Sequence, residues 1–301
     1  MNRQKHESKN TNPRCTPAPT VAALLIAALC ILCTAQAGAS TISVGSDRDN
    51  FIYPGHDASV GPGEVGYNSE MNWGAFDSVV AGPNNNPGNA DQNGEPYRGL
   101  LGFDLSSLGN VDVSDATLTL TVTNTSKATS ATADFNLYLI ADANAAWAEG
   151  TGNQDRLDGA SCWDYLAYDA TSPTNWTGGA GIGLDASSSG LQALVATVAV
   201  ADMSTANVGD EFEFALNATG LSALETWALD GTNAGFLLKT STDTGNPGSD
   251  TVGALFFGSK ENATTSYRPE LTLNYTIIPE PSTFALLVLA GVYLLQRRRR
   301  R

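Results

Sequence analysis

Basic residues, histidine and cysteine are scarce in the body of this 301-residue chain, and each shortage excludes a class of function. Between residues 40 and 296 there are 30 aspartates and glutamates against 7 lysines and arginines, a net charge of −23. A surface of that sign repels nucleic acid and anionic lipid headgroups, so we expect no nucleic-acid partner. Neutral glycans, divalent cations and basic partners remain compatible with such a charge.

Cysteine and histidine are too few for the common catalytic and zinc-binding arrangements. Cys15, Cys30 and Cys33 precede residue 40, so the body keeps only Cys162 and has no internal disulfide to stabilise it. His56 is the one histidine of the body and lies in a loop sequence, which gives little support to a Ser-His-Asp set. The body has no HExxH, CxxC or HxH spacing. We therefore predict no catalytic residues and no zinc.

Residues 1–39 have the pattern of a secretory signal peptide. Basic residues come first, an unbroken apolar run fills 21–33, and small residues at 35–39 offer a cleavage site. The run of 13 residues is short for a membrane span. We predict that the chain is exported through the secretion translocon.

Alternation of apolar and polar residues with period two dominates the body and predicts half-buried antiparallel strands. In EFEFAL, residues 211–216, Phe212 and Phe214 point inward while Glu211 and Glu213 point to solvent. In 192–200 the same pattern places Leu194 on the inward face. Alternating segments also occupy 116–123, 134–140 and 270–276, and further strands are expected at 41–45, 49–53, 78–81, 98–105, 235–240 and 254–258.

One segment, residues 219–231, has helical spacing instead. Ser222 and Glu225 form the pair expected of a capping box, Leu224 and Trp227 share one face, and Gly231 marks the end. About ten strands and one short helix predict an all-β fold, a jelly-roll-like antiparallel β-sandwich. The predicted organisation is a signal peptide at 1–39, a sandwich domain at 41–277 and a C-terminal segment at 279–301.

A series of short motifs in the body carries a family resemblance. DRDNFIY (47–53), YRGLLGFDLSSL (97–108), WAEGTGN (147–153) and FFGSKENATTSYRPELTLNYT (256–276) follow one another in that order. The series resembles the DNRLRE-type domains, secreted β-sandwich modules related to a carbohydrate-binding module family and to disaggregatase-type proteins. The sequence departs from that pattern at Cys162 and at 258–261. The resemblance implies a glycan-associated module and does not imply a defined reaction.

Aromatic residues in Gly/Asn/Asp-rich loops are the candidate glycan-binding residues. They are Trp73, Trp163, Tyr165 and Trp176, with Tyr168 close to them in sequence. A sugar stacks its C–H face on an exposed ring, which offers a large apolar area with few conformations to lose. The alternative is that these rings fix long loops onto the sandwich.

Calcium is the metal that the sequence leaves open, because it needs only carboxylate and carbonyl ligands. Asp47 and Asp49 lie close together in GSDRDN, residues 45–50, and are the candidate ligands. The alternative is an ordinary polar turn.

The C-terminal segment combines a Pro-Glu-Pro motif, an apolar stretch and five arginines. Pro279, Glu280, Pro281 and Ser282 precede an uncharged stretch at 283–295, about 20 Å long as a helix, and Arg297, Arg298, Arg299, Arg300 and Arg301 end the chain. An arginine cluster stays on the cytoplasmic side of a membrane, so the body would lie outside. This order resembles the PEP-CTERM sorting signal. The resemblance implies a transmembrane helix, recognition of the tripeptide and cleavage near it by an exosortase-type membrane peptidase.

These patterns give one leading hypothesis and two alternatives. The leading hypothesis is a non-catalytic, glycan-associated β-sandwich that is anchored transiently in the inner membrane and then passed to the cell surface or exopolysaccharide matrix. One alternative is an extracellular polysaccharide lyase or hydrolase. The other is a structural matrix protein without a sugar ligand.

Overall fold

The computed structural model describes residues 38–55, 68–86, 94–182, 190–243 and 253–278. These residues form β-strands, one α-helix and several short 3-10 turns. The strands are β1 (Ser40–Gly45), β2 (Arg48–Ile52), β3 (Ser78–Pro83), β4 (Pro96–Gly102), β5 (Val111–Asn124), β6 (Ala133–Ile140), β7 (Tyr165–Ala167), β8 (Thr174–Asn175), β9 (Leu191–Val200), β10 (Glu211–Ala215), β11 (Phe236–Thr240), β12 (Leu255–Gly258) and β13 (Glu270–Ile277). The helix α1 covers Ala218–Asp230.

Eleven strands form one curled antiparallel sheet, and β7 and β8 form a separate pair. The order is β1-β13-β5-β12-β3-β4-β11-β6-β9, with β10 paired to β5 and β2 paired to β4. The 14-residue strand β5 pairs with β10 along 117–121 and with β12 near its C-terminal end. The described residues are thus mostly β with a single short helix, consistent with the predicted all-β sandwich.

The main hydrophobic core lies between the inward faces of the curled sheet. Leu118 of β5, Phe214 of β10 and Leu271 of β13 meet Phe135 of β6 and Phe236 of β11 in this core. Burying such side chains contributes about 1.5–3 kcal/mol each. In β10 the glutamates are exposed and the phenylalanines buried, which confirms the alternation predicted there.

A β-bulge changes the alternation in β9. Leu137 pairs with Ala196 but the next residue, Tyr138, pairs with Leu194, so Val195 is an extra residue in the ladder. Val195 and Ala196 are therefore both buried, and Leu194 is exposed. The prediction that Leu194 faces inward was wrong, because period-two alternation changes phase across a bulge.

A layer of irregular chain, residues 141–182, covers the outer face of β4, β11 and β6. We call it the loop layer. Trp147, Trp163 and Trp176 of this layer pack with Leu100 and Leu237 in a second core cluster. Strand β11 is consequently buried on both faces. Strands β7 and β8 lie within the layer and were not predicted from the sequence.

Helix α1 begins earlier than the capping box predicted. Asn217 is the N-cap, and its side-chain oxygen accepts hydrogen bonds from the backbone N–H groups of Thr219 and Gly220. Glu225 instead accepts from the backbone N–H of Val113, 2.9 Å away, and so ties the helix to β5. The predicted end is confirmed, because Gly231 adopts the left-handed conformation that a C-terminal cap requires.

The two predicted targeting segments fall largely beyond this description. Residues 1–37 of the signal peptide and the whole of 279–301 lie outside the described residues. Within the described part of the chain, no helix combines the length and apolar character needed to cross a membrane.

Candidate functional site

Two of the four candidate glycan-binding aromatics are buried in the second core cluster. Trp163 is 7% exposed and Trp176 is 3% exposed. The Trp176 indole N–H donates to the carbonyl of Cys162 at 2.9 Å, and the Trp147 N–H donates to the carbonyl of Ala234 at 2.8 Å. These rings therefore fix the loop layer to the sheet and offer no open face to a sugar.

The other two candidates, Trp73 and Tyr165, are half-buried. Trp73 stacks on Phe51 with ring centroids 4.9 Å apart, so one of its faces is already used inside the protein. Tyr165 lies on β7 beside Tyr168, which is also half-buried, and their ring centroids are 6.2 Å apart with planes tilted by 51°. The structure thus brings these two tyrosines together as a pair of rings at the surface.

The segment 165–168, which carries the tyrosine pair, is held against the protein by packing and backbone hydrogen bonds. Leu166, between the two tyrosines, is buried in the second core cluster. The backbone of Tyr168 exchanges hydrogen bonds with Gly159 and Ala160 at 2.7 and 2.9 Å, and the Tyr165 carbonyl accepts from the N–H of Cys162 at 3.0 Å. A ring pair on such a support loses little conformational entropy when a ligand binds.

A cluster of carboxylates forms where β2, the loop layer and the chain after β12 meet. Asp49, Glu149 and Glu261 bring carboxylate oxygens within 4.8 Å of one another, and we call this the acidic cluster. The Glu149 carboxylate accepts from the backbone N–H of Asp49 at 3.0 Å, although the two residues are 100 positions apart. Lys260 joins the group, with its ammonium 2.7 Å from Glu149 and 3.1 Å from Glu261.

Burial controls the protonation of the acidic cluster. Asp49 is 1% exposed, and loss of hydration raises its pKa to about 7 against the hydrogen bonds from Lys260 and Ser46, which lower it. Burial also raises the pKa of Glu149. Burial lowers the pKa of Lys260, but the hydrogen bonds and negative charges of the two glutamates together raise it more, so its net pKa is raised. The lysine therefore stays charged.

The calcium site predicted at Asp47 and Asp49 stays a prediction, and only one of its two residues belongs to the acidic cluster. Asp47 is exposed and is not a member of the acidic cluster. The Lys260 ammonium bridges Glu149 and Glu261 and neutralises part of their charge. The buried Glu261 Oε2 lacks a hydrogen-bond partner, so one acceptor of the cluster is unused. An ion shared by Glu149 and Glu261 would compete with this ammonium for their oxygens.

Asn72 fixes the loop layer beside the acidic cluster. Its side-chain amide donates to the carbonyls of Glu149 and Ser161, and its side-chain oxygen accepts from the backbone N–H groups of Gly74 and Gly152. A Cβ added to Gly74 would lie 2.3 Å from the Glu149 carbonyl oxygen, so only glycine allows this approach. Glu149 is thus held in place by backbone contacts on both sides.

Cys162 is a core residue in this structure. It is buried, and loss of hydration raises the pKa of its thiol to about 12. A thiol in that environment is not a nucleophile at neutral pH. His56, the histidine that any such cysteine would need as a base, lies outside the described residues.

The acidic cluster could not have been found from sequence motifs. Its members are separated by about one hundred residues each, so no local spacing connects them. The tyrosine pair could have been predicted from the sequence, because both residues lie in one aromatic loop. No protein-family model matches the chain, and no curated protein matches it either.

Proposed function

We propose that this protein is an exported β-sandwich, jelly-roll-like and of the DNRLRE type, that associates with extracellular polysaccharide without cleaving it. The observation that supports this proposal is the surface pair of Tyr165, on β7, and Tyr168, just after it. Two rings about 6 Å apart suit adjacent C–H faces along a sugar chain. The hydroxyl groups of the tyrosines can hydrogen-bond the sugar at the same time.

The negative charge of the body restricts the kind of polysaccharide that the protein can bind. With a net charge of −23 between residues 40 and 296, the protein repels polyanionic glycans at ordinary ionic strength. Since Lys260 supplies the positive charge within the acidic cluster, we propose that binding does not require calcium. Retention on a neutral matrix glycan should therefore be the same with and without a chelator. Calcium-dependent retention that Glu149→Gln abolishes would restore the metal proposal.

The binding proposal is tested by replacing the two tyrosines. Tyr165→Ala and Tyr168→Ala should each weaken retention on neutral extracellular polysaccharide by about 2- to 10-fold, since an aromatic contact contributes about 0.5–1.5 kcal/mol. Tyr267→Ala, which removes a half-buried tyrosine from the turn before β13, is the matched control and should not weaken retention. Equal retention by all three variants would refute the role of the tyrosine pair.

The enzyme alternative gives a different result in the same assay. A lyase or hydrolase would shorten the polysaccharide during incubation, and this would be detected as new chain ends. Depolymerisation would overturn the non-catalytic proposal. If no matrix glycan is retained, the structural alternative, a matrix protein without a sugar ligand, replaces it.

We further propose that the segment 279–301 acts as a PEP-CTERM-type sorting signal. The support is the order of Pro279-Glu280-Pro281, the apolar stretch 283–295 and the arginines 297–301. An exosortase-type peptidase would cut near the tripeptide and release the body to the surface or matrix. Replacing the tripeptide by three alanines should leave the uncleaved protein in the membrane. An unchanged mature mass and location would show that the segment is only an anchor.

A further inference from the structure

We propose that a second glycan site, separate from the tyrosine pair, holds one neutral sugar unit in a pocket beside the start of β2. This inference rests on the proposed function, because it assumes a polysaccharide ligand. It adds a named site and restricts the ligand to an uncharged sugar. The site would bind a chain end or a side branch.

The pocket is a cavity of about 270 Å³ formed by four separate chain segments. Arg48 at the start of β2 and Asp47 just before it form one wall, and the turn after β4 contributes Asp104 and Ser106. The turn after α1 contributes Asn233 and its neighbours, and the loop layer contributes Ala145. This volume is slightly below the range of about 300–1,000 Å³ usual for small-molecule sites. It therefore suits one small unit of a ligand.

Arg48 forms the cationic side of the pocket and is fixed in position. Its guanidinium donates to the carbonyls of Ala145, Trp147 and Asn233, and lies 4.4 Å from the centre of the Trp147 ring. A Cβ on Gly102 would lie 2.6 Å from the Arg48 Cγ, so glycine in β4 is what lets the arginine lie across the strand. Any ligand in the pocket meets a positive charge that cannot move away.

Two exposed carboxylates, Asp47 and Asp104, form the anionic side. Hydrogen bonds from the hydroxyl and backbone N–H of Ser106 hold the pKa of Asp104 below its usual value, so the group stays ionised. An ionised carboxylate only accepts hydrogen bonds. The ligand must therefore supply donors.

The charge of the walls selects against anions. An anionic ligand would face two carboxylates, Asp47 and Asp104, against the single guanidinium of Arg48. Hydroxyl groups satisfy both sides, because each can donate to a carboxylate and accept from a donor. Leu105 and Trp227 also line the pocket, but they are only 2% and 4% exposed, so the contact with a ligand is mainly through hydrogen bonds. A neutral sugar has the hydroxyl groups that such a polar pocket requires.

The turn after α1 is also held in place before any ligand binds. Gly231 ends the helix in the left-handed conformation, and the Asp230 carboxylate accepts from the backbone N–H of Thr232 at 2.8 Å. The Asn233 amide donates to the carbonyl of Phe103. A pocket whose walls are fixed in this way loses little entropy on binding.

The test measures binding of defined sugars to the full-length protein in detergent. The probes are neutral trisaccharides of gluco, manno and galacto configuration, and a trisaccharide of uronic acids for comparison. We expect at least one neutral trisaccharide to bind and the uronic-acid trisaccharide to bind at least tenfold more weakly. Equal or tighter binding of the uronic-acid probe would overturn the proposal.

Paired variants assign the binding to the pocket. Asp104→Ala should weaken binding about tenfold, the effect of losing one hydrogen bond to a charged group. Asp112→Ala, at an exposed aspartate outside the pocket, should bind as the parent does. Ser106→Phe, which fills the pocket, should abolish binding, whereas Ser107→Phe at the next exposed position should not. Thermal unfolding checks that all four variants are folded.

The outcomes separate this inference from the proposed function. If matrix polysaccharide is retained but neither Asp104→Ala nor Ser106→Phe changes trisaccharide binding, the pocket proposal is wrong and the proposed function stands. If no trisaccharide and no polysaccharide binds, both are wrong. If the pocket variants lose trisaccharide binding while Tyr165→Ala keeps it, the two sites are distinct as proposed.

Discussion

The ion pair between Arg98 and Asp243 gives the sharpest test of how the loop layer is held. The Arg98 side chain is 1% exposed and makes two hydrogen bonds to the Asp243 carboxylate, at 2.6 and 2.8 Å. A third hydrogen bond, 2.8 Å long, reaches the Gly181 carbonyl in the loop layer. The guanidinium carbon lies 4.9 Å from the centre of the Trp163 ring. Arg98 thus connects β4, the chain after β11 and the loop layer.

Replacing Arg98 by methionine keeps most of the side-chain volume but leaves the buried Asp243 without this cation. Removing one partner of a buried pair costs about 3–5 kcal/mol. Since a domain is stable by only about 5–15 kcal/mol, this is a large fraction of the total. Replacing both partners, in Arg98→Met/Asp243→Leu, should cost much less, because no uncompensated charge remains.

Urea unfolding followed by tryptophan fluorescence measures both variants against the parent. The expected result is a lower transition midpoint for Arg98→Met and recovery of most of that loss in the double variant. A loss of less than about 1 kcal/mol for Arg98→Met would refute the reasoning, because it would place this pair with exposed ion pairs in energy. A double variant as unstable as the single one would show that packing and the Gly181 contact, not charge, dominate.

The remaining predictions concern protonation, helix capping and thiol reactivity. Because the pKa of Asp49 is raised from 3.8 to about 7 in the folded state, stability should rise as the pH falls from 8 to 5. Asp49→Asn should flatten the melting temperature profile relative to the exposed control Asp47→Asn; identical profiles would contradict the assignment. Asn217→Ala should lower the free energy of unfolding by about 1 kcal/mol through loss of the N-cap, and Ser222→Ala should have little effect. The reverse order in urea unfolding would favour the capping box. Cys162 should resist alkylation at pH 8 in the folded protein and react fully in denaturant, as measured by mass spectrometry of its peptide; rapid labelling of the folded protein would contradict its burial.

Alternation predicted much of the fold because most strands have one face in the core. Glu211 and Glu213 reach solvent while Phe212 and Phe214 are buried, as the pattern predicted. The pattern was wrong for Leu194, because a bulge gives no sign of itself in the periodicity. Strands β7 and β8 were missed because they are short and lie within a Gly/Asp-rich loop.

The candidate site was predicted less well, since exposure is decided by what packs on each side chain. Loop position alone did not distinguish the buried Trp163 and Trp176 from the half-buried Tyr165. The two aspartates of the GSDRDN turn were predicted as a pair of calcium ligands, yet they have different environments in the structure. Asp49 joins Glu149 and Glu261, whereas Asp47 faces the pocket.

The sequence by itself determined the features that depend on neighbouring residues. These are the strand alternation, the helix end at Gly231, the regional charge and the order of motifs in the two terminal segments predicted to act in targeting. The tertiary structure decided the features that depend on contacts between distant residues. It buried the tryptophans of the loop layer against the sheet, joined Lys260 to the acidic cluster and assembled the pocket from four segments. The physical reason is that burial and charge pairing are set by the folded neighbourhood, which local sequence does not encode.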